Sequence, residues 1–155
     1  MDILNAIPKN GISFNYRGSH IDAELRPLWR ISLLVIILMR LCSGNKANSK
    51  KIQALYSLVA SEKKRKIYSS RSTNNEYLNI RFDPLVDRAI DIGVGHGLFK
   101  LDDAKSIVLT DKGISFGKRI EEDDNVFILE KNFMKQFKKS FFTEQRINSL
   151  ITGER

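Results

Sequence analysis

Hydrophobic positions along the chain fall in blocks whose spacing changes from segment to segment. Residues 1–26 show no period: Pro8, Asn10, Gly11 and Gly18 interrupt scattered aromatics such as Phe14 and Tyr16, and the segment reads as an arm. Pro27 suits the first turn of a helix. From Leu28 to Cys42 almost every position is apolar, with Trp29, Leu33, Ile36, Ile37 and Leu41 at helical spacing. A helix apolar all round is a buried one. Ser43-Gly44-Asn45 ends it. A second helix is expected from Ser49, read as its N-cap, with Ile52, Leu55, Tyr56, Leu58 and Val59 on one face. Lys63 to Lys66 continues it as helix or loop, Ser69 to Asn75 is a polar break, and Tyr77 to Phe82 alternates as a short strand or extended link.

Asp83-Pro84 is a strong helix start, a cap followed by proline at the first helical position. Leu85, Val86, Ala89 and Ile90 supply the buried face, and Gly93, Gly95 and Gly97 are expected to end the helix. Two short apolar runs, Leu98 to Leu101 and Ser106 to Leu109, flank the polar turn Asp102-Asp103-Ala104-Lys105 and read as a β-hairpin. Thr110 caps a further helix to about Glu122, and Asp123-Asp124-Asn125 breaks the chain. A last helical region from Val126 is expected to carry Leu129, Phe133, Phe137 and Phe141, with Thr143 capping a short terminal helix.

The chain has 155 residues, 42% of them hydrophobic and 28% charged, which fits one globular domain, or a domain with an arm. Its single cysteine, Cys42, excludes an intramolecular disulfide and a cysteine-based zinc site; it reads as a small buried hydrophobe in a reducing compartment. Met1 to Pro8 has no basic stretch followed by an apolar core, so no signal peptide is expected. The longest apolar stretch, Leu33 to Met39, is far short of the roughly 20 residues a membrane span needs. A cytoplasmic protein without a membrane partner is expected.

The net charge of +8 is not spread evenly. Between Arg40 and Arg71 lie nine basic residues and one acid, Glu62, while the remainder sums to zero. Such a run is either a solvated face or a footprint for phosphate or an acidic protein surface. Lys50, Lys51, Lys63, Lys64, Arg65, Lys66 and Arg71 are the candidate nucleic-acid contacts.

Helices, then a hairpin, then a helix is the order of a winged helix, an α+β fold that is mainly helical. Gly97-Leu98-Phe99-Lys100-Leu101 with Ile107-Val108-Leu109-Thr110-Asp111-Lys112-Gly113 resembles the wing and following helix start of many bacterial winged-helix proteins. The expected organisation is an arm over 1–26, a winged-helix domain over 27–124 and a C-terminal helical extension over 125–155. In a DNA-reading winged helix, the helix before the wing enters the major groove. Here that helix carries Asp83, Asp87 and Asp91 on one face, with Arg88 as its only cation. Carboxylates facing phosphates are repelled. Asp87 and Asp91 are therefore candidate contacts for a basic partner, the alternative being a solvated acidic face.

A narrower resemblance lies in the first two helices. Arg26-Pro27-Leu28-Trp29-Arg30-Ile31, Leu33 to Leu38, Leu41 to Ala47 and Ile52-Gln53-Ala54-Leu55-Tyr56 are similar to the small middle-component proteins of ABC-three-component systems, which include Lamassu-type antiphage systems. In that family an apolar first helix ends at a Cys-x-Gly-like turn and a leucine-bearing second helix follows. The similarity covers roughly residues 26 to 151. It implies a non-enzymatic winged-helix adaptor joining an SMC- or Rad50-like ATPase to an effector in a prokaryotic defence complex; any DNA contact, independent of sequence, is expected from the basic run. A winged-helix transcription regulator is the alternative.

Chemistry for catalysis is thin. His20 and His96 are far apart, and Gly93-Val94-Gly95-His96-Gly97 follows a helix and precedes a strand, the reverse of a phosphate loop. Neither a metal nor a cofactor is expected. Phe133, Phe137 and Phe141 form a stripe among Lys131, Lys135, Lys138 and Lys139, read either as core or as a seam against a second chain, including a second copy.

Overall fold

Helix α1 (Pro27–Leu41) runs through the middle of the protein, and Leu33, Val35, Ile36, Ile37, Leu38 and Leu41 on it are wholly buried. The computed structural model describes residues 26–70 and 78–152. The expected arm lies outside them, apart from Arg26. Because α1 is apolar on every side, each side can be covered: α2 (Ser49–Ala60), α4 (Pro84–Gly95), α5 (Asp111–Glu122) and α6 (Ile128–Met134) all pack on it. Each fully buried leucine or isoleucine there contributes about 1.5–3 kcal/mol.

Gly44 and Asn45 take left-handed backbone (φ 70° and 54°) and turn the chain out of α1 into β1 (Lys46–Ala47). The turn is as expected; the strand after it is not. Strands β2 (Phe99–Leu101) and β3 (Ile107–Leu109) form the expected hairpin, and β1 adds to its far side. The sheet is antiparallel in the order β1-β3-β2, with Ala47 opposite Ile107 and Phe99 opposite Leu109. In the hairpin turn Lys105 adopts φ 61°, Lys105 N–H donates to Asp102 C=O, and the Asp102 carboxylate accepts from Ser106 N–H at 2.8 Å. The fold is thus α+β and mainly helical, with seven α-helices and one small sheet among the described residues.

Helix starts follow capping chemistry, with one correction. Asn48, not Ser49, caps α2: its side chain accepts from Lys51 N–H at 2.8 Å, and Ser49 is already helical. Asp83 caps α4 by accepting from Leu85 N–H, and Thr110 caps α5 by accepting from Gly113 N–H. Lys63 to Lys66 lies on a separate helix, α3 (Glu62–Ser70), broken from α2 at Ser61. Leu78 to Phe82 forms no strand, and Tyr77 lies outside the described residues.

Only Gly97 of the three glycines ends α4. It sits at φ 74°; its N–H donates to Val94 C=O, and Leu98 N–H reaches back to Gly93 C=O at 2.9 Å. This pair of bonds is a Schellman stop. Gly93 instead lies inside the helix, where a Cβ would sit 2.3 Å from the Phe99 ring. It lets α4 close onto strand β2 of the hairpin.

The C-terminal segment is part of the same core. The expected long helix through Phe141 is short: α6 ends at Met134, turns follow, and α7 (Glu144–Thr152) starts at Thr143, whose side chain accepts from Arg146 N–H. Both helices pack on α2. Lys131 is 7% exposed and donates to the carbonyls of Ile120 and Asp123, both at 2.6 Å, so its ammonium caps the negative end of α5.

Candidate functional site

Helix α4 presents a mixed face to solvent. Asp87, Arg88 and Asp91 are exposed on it, flanked by Leu85 at 40% and Val94 at 38% exposure, and Phe82 just before the helix is 55% exposed. Sequence reasoning finds the carboxylates but not their anchoring. Gln53 of α2 is buried beneath the helix start. Its amide nitrogen donates to Asp83 C=O and to the Asp87 carboxylate, both at 3.0 Å, and its oxygen accepts from Asp83 N–H at 2.9 Å. Two of the three carboxylates therefore have structural roles, Asp83 as a cap and Asp87 as a ligand of Gln53. Asp91 has neither.

The seven candidate nucleic-acid contacts do not form one patch. Lys50 and Lys51 lie in the first turn of α2, whereas Lys63 to Lys66 follow its last turn, and a 12-residue helix is about 18 Å long. Arg65 is removed from the contact set: it is 8% exposed, donates to Val59 C=O and stands 3.8 Å from Glu130 of α6. Its charge serves the packing of α3 on α6. Lys66 pairs with Glu62 one turn earlier at 2.8 Å, and that bond and charge hold the Glu62 carboxyl below its ordinary range. Lys64 is half-buried and donates to Ser57 Oγ at 2.7 Å; burial, then the Arg81 charge, pushes its pKa below the ordinary lysine value. Lys63 is exposed. Arg71 lies outside the described residues. Arg40 forms a two-pronged pair with Glu121, tying α1 to α5.

The aromatic stripe is largely an internal cluster. Phe133 is 4% exposed, which withdraws it as a docking residue. Its ring lies 6.3 Å from Tyr68 of α3 and 5.2 Å from Phe137. Phe137 also meets Tyr68, Phe141 and Phe142. Phe137 and Phe141 are half-buried in the turns after α6, and the Arg146 guanidinium lies 4.0 Å over the Phe141 ring. The spacing of the phenylalanines imitates a helix, but Tyr68 and Phe142 gather the rings.

Cys42 is wholly buried at the end of α1, and burial raises its thiol pKa to about 11. Among the described residues no three histidine, cysteine, aspartate or glutamate side chains are grouped to hold a metal ion, and no helix is long and apolar enough to cross a membrane. No protein-family model matches the chain, and no curated protein or solved structure matches it either.

Proposed function

We propose that this chain is a non-enzymatic winged-helix adaptor that docks a protein partner through α4 and touches DNA without reading its sequence. The winged-helix assignment is supported by the order α1-β1-α2, an inserted α3, then α4-β2-β3, with strands arranged β1-β3-β2. Within that fold α4 holds the position of a groove-reading helix. The observation that carries the adaptor reading is the exposed side of that helix: Asp87 and Asp91 beside Val94, and Leu85 at the opposite edge next to Arg88, its only cation.

Carboxylates repel phosphate, whereas exposed apolar side chains beside charges are what a protein interface uses. The resemblance of the first two helices to ABC-three-component middle components gives the partner: an SMC- or Rad50-like ATPase, bridged to an effector in a prokaryotic antiviral complex. The same face argues against the rival reading as a transcription regulator.

A gene for a coiled-coil ATPase is expected beside the gene for this chain, and co-expression with that ATPase tests the proposal. Joint purification, together with no enriched motif in a selection from random duplexes, is the expected result. A motif preferred by about 10³ or more over random DNA would make the chain a regulator.

A further inference from the structure

Lysines from distant parts of the chain are tied to the segment that runs from Asn45 into the first turn of α2. Lys139, in the turn after α6, donates to Asn45 Oδ1 at 2.6 Å across 94 residues. Lys50 donates to Asn148 Oδ1 of α7 across 98 residues. Lys51 follows directly, its backbone N–H taken by the cap Asn48. The charges of Lys51 and Lys139 both act on the buried Cys42 thiol at the end of α1, each opposing the effect of burial.

The ion pairs among the described residues engage Arg40, Lys46, Arg65 and Lys66, not Lys50, Lys51 or Lys139. The hydrogen-bond partners of Lys50 and Lys139 are neutral amides that hold the side chains in place. The first turn of α2 has no acidic residue, and a helix start is itself partly positive. Like charges gathered there oppose folding by mutual repulsion, which an anion would relieve.

The chemistry of the occupant follows from what the face lacks. The exposed large hydrophobics among the described residues are Leu28, Phe82, Leu85, Val94, Leu101, Ile128 and Leu129, and none lies on α2, α7 or the turn bearing Lys139. A protein interface is built round buried apolar or aromatic anchors. Phosphate contacts need positive charge alone.

We propose that Lys50, Lys51 and Lys139 form the DNA-backbone contact of this protein, each neutralising a phosphate of a duplex. This rests on the DNA-touching half of the function proposed above. It moves that contact from the α3 lysines to the start of α2 and adds Lys139.

The test is fluorescence anisotropy of the full chain with a labelled duplex of arbitrary sequence, between about 50 and 200 mM salt. The Lys50→Gln/Lys51→Gln/Lys139→Gln variant should lower the log–log salt slope by about 2.7, and Lys139→Gln alone by about 0.9. Lys63→Gln should leave it unchanged. The single Lys139 variant decides the matter if the triple variant does not fold. An unaltered slope in the folded triple or single variant overturns the proposal. So does wild-type protein that ignores DNA at low salt but binds polyglutamate, an outcome that assigns the face to an acidic protein. Joint purification with the ATPase is independent of these results, so the adaptor reading can survive the loss of this site.

Discussion

The Gln53 side chain on α2 and the Asp87 carboxylate on α4 are joined by a 3.0 Å hydrogen bond, although the first is 2% exposed and the second faces solvent. The same amide brackets Asp83 by its backbone N–H and C=O, so one buried side chain fixes where α4 begins. Gln53→Leu keeps the volume and removes three hydrogen bonds, leaving the Asp83 backbone groups without that partner. The expected cost is about 1–3 kcal/mol, read as a lower urea midpoint at unchanged slope. A midpoint equal to wild type would show that α4 is held by its apolar face alone.

Two glycines should respond in opposite directions to the same change. A Cβ on Gly113, in the first turn of α5, would lie 2.2 Å from the Leu98 carbonyl oxygen, a backbone atom that cannot swing aside. Gly113→Ala should cost about 1–3 kcal/mol through overpacking between α5 and the backbone leading into β2. A Cβ on Gly95 meets nothing within 4 Å, so Gly95→Ala should stabilise by about 0.4–1 kcal/mol through the unfolded chain. Thermal melts of the two variants should shift to opposite sides of wild type. Shifts of the same sign would contradict the close approach of Gly113.

What is legible in the sequence is local. Pro27, Asp83-Pro84 and Thr110 each mark a helix start by a side chain acting within a few residues, and the polar turn between Leu101 and Ile107 marks the hairpin. Strand β1 is hidden because two residues, Lys46 and Ala47, cannot show alternation; pairing with Val108 and Ile107 makes them a strand. The basic run looks like one patch because sequence cannot show that Arg65 turns inward to Val59 and Glu130. Lys139 escapes notice as a companion of Lys50 and Lys51 for the same reason, since only folding brings it to Asn45. The acidic stripe on α4 is legible because its carboxylates recur one turn apart. The role of Asp87 in it needs Gln53, which reads as an ordinary polar residue of α2.

Cys42 gives a pH dependence of known sign. Its thiol pKa is raised from 9.0 to about 11 in the folded protein, so the unfolded chain gives up the proton first. The stabilisation is fully present below pH about 9 and is lost as pH rises through about 11, at roughly 1.4 kcal/mol per unit. Urea unfolding at a series of pH values from about 8 upward should show wild type losing stability relative to Cys42→Ala. Between the two pKa values the folded chain holds a proton that the unfolded chain has released, so raising the pH favours unfolding. Parallel curves would mean that the thiol is not buried as described. At about pH 8 in native conditions the thiol should also resist a thiol-specific reagent until denaturant is added.

The double variant Asp87→Asn/Asp91→Asn distinguishes an α4 that docks a protein, as proposed, from one that enters a DNA groove. An amide at position 87 retains an oxygen for Gln53, and Asp91 is exposed, so the fold should be kept within about 0.5 kcal/mol. The measurement is recovery of the proposed partner, an SMC- or Rad50-like ATPase, by the wild-type and double-variant proteins, at low and at physiological salt. Docking predicts that wild type recovers the ATPase and that the folded variant recovers distinctly less, with the deficit largest at low salt where charge steers association. Equal recovery at both salt concentrations, or a variant that instead gains tight, sequence-selective binding to DNA, would contradict it.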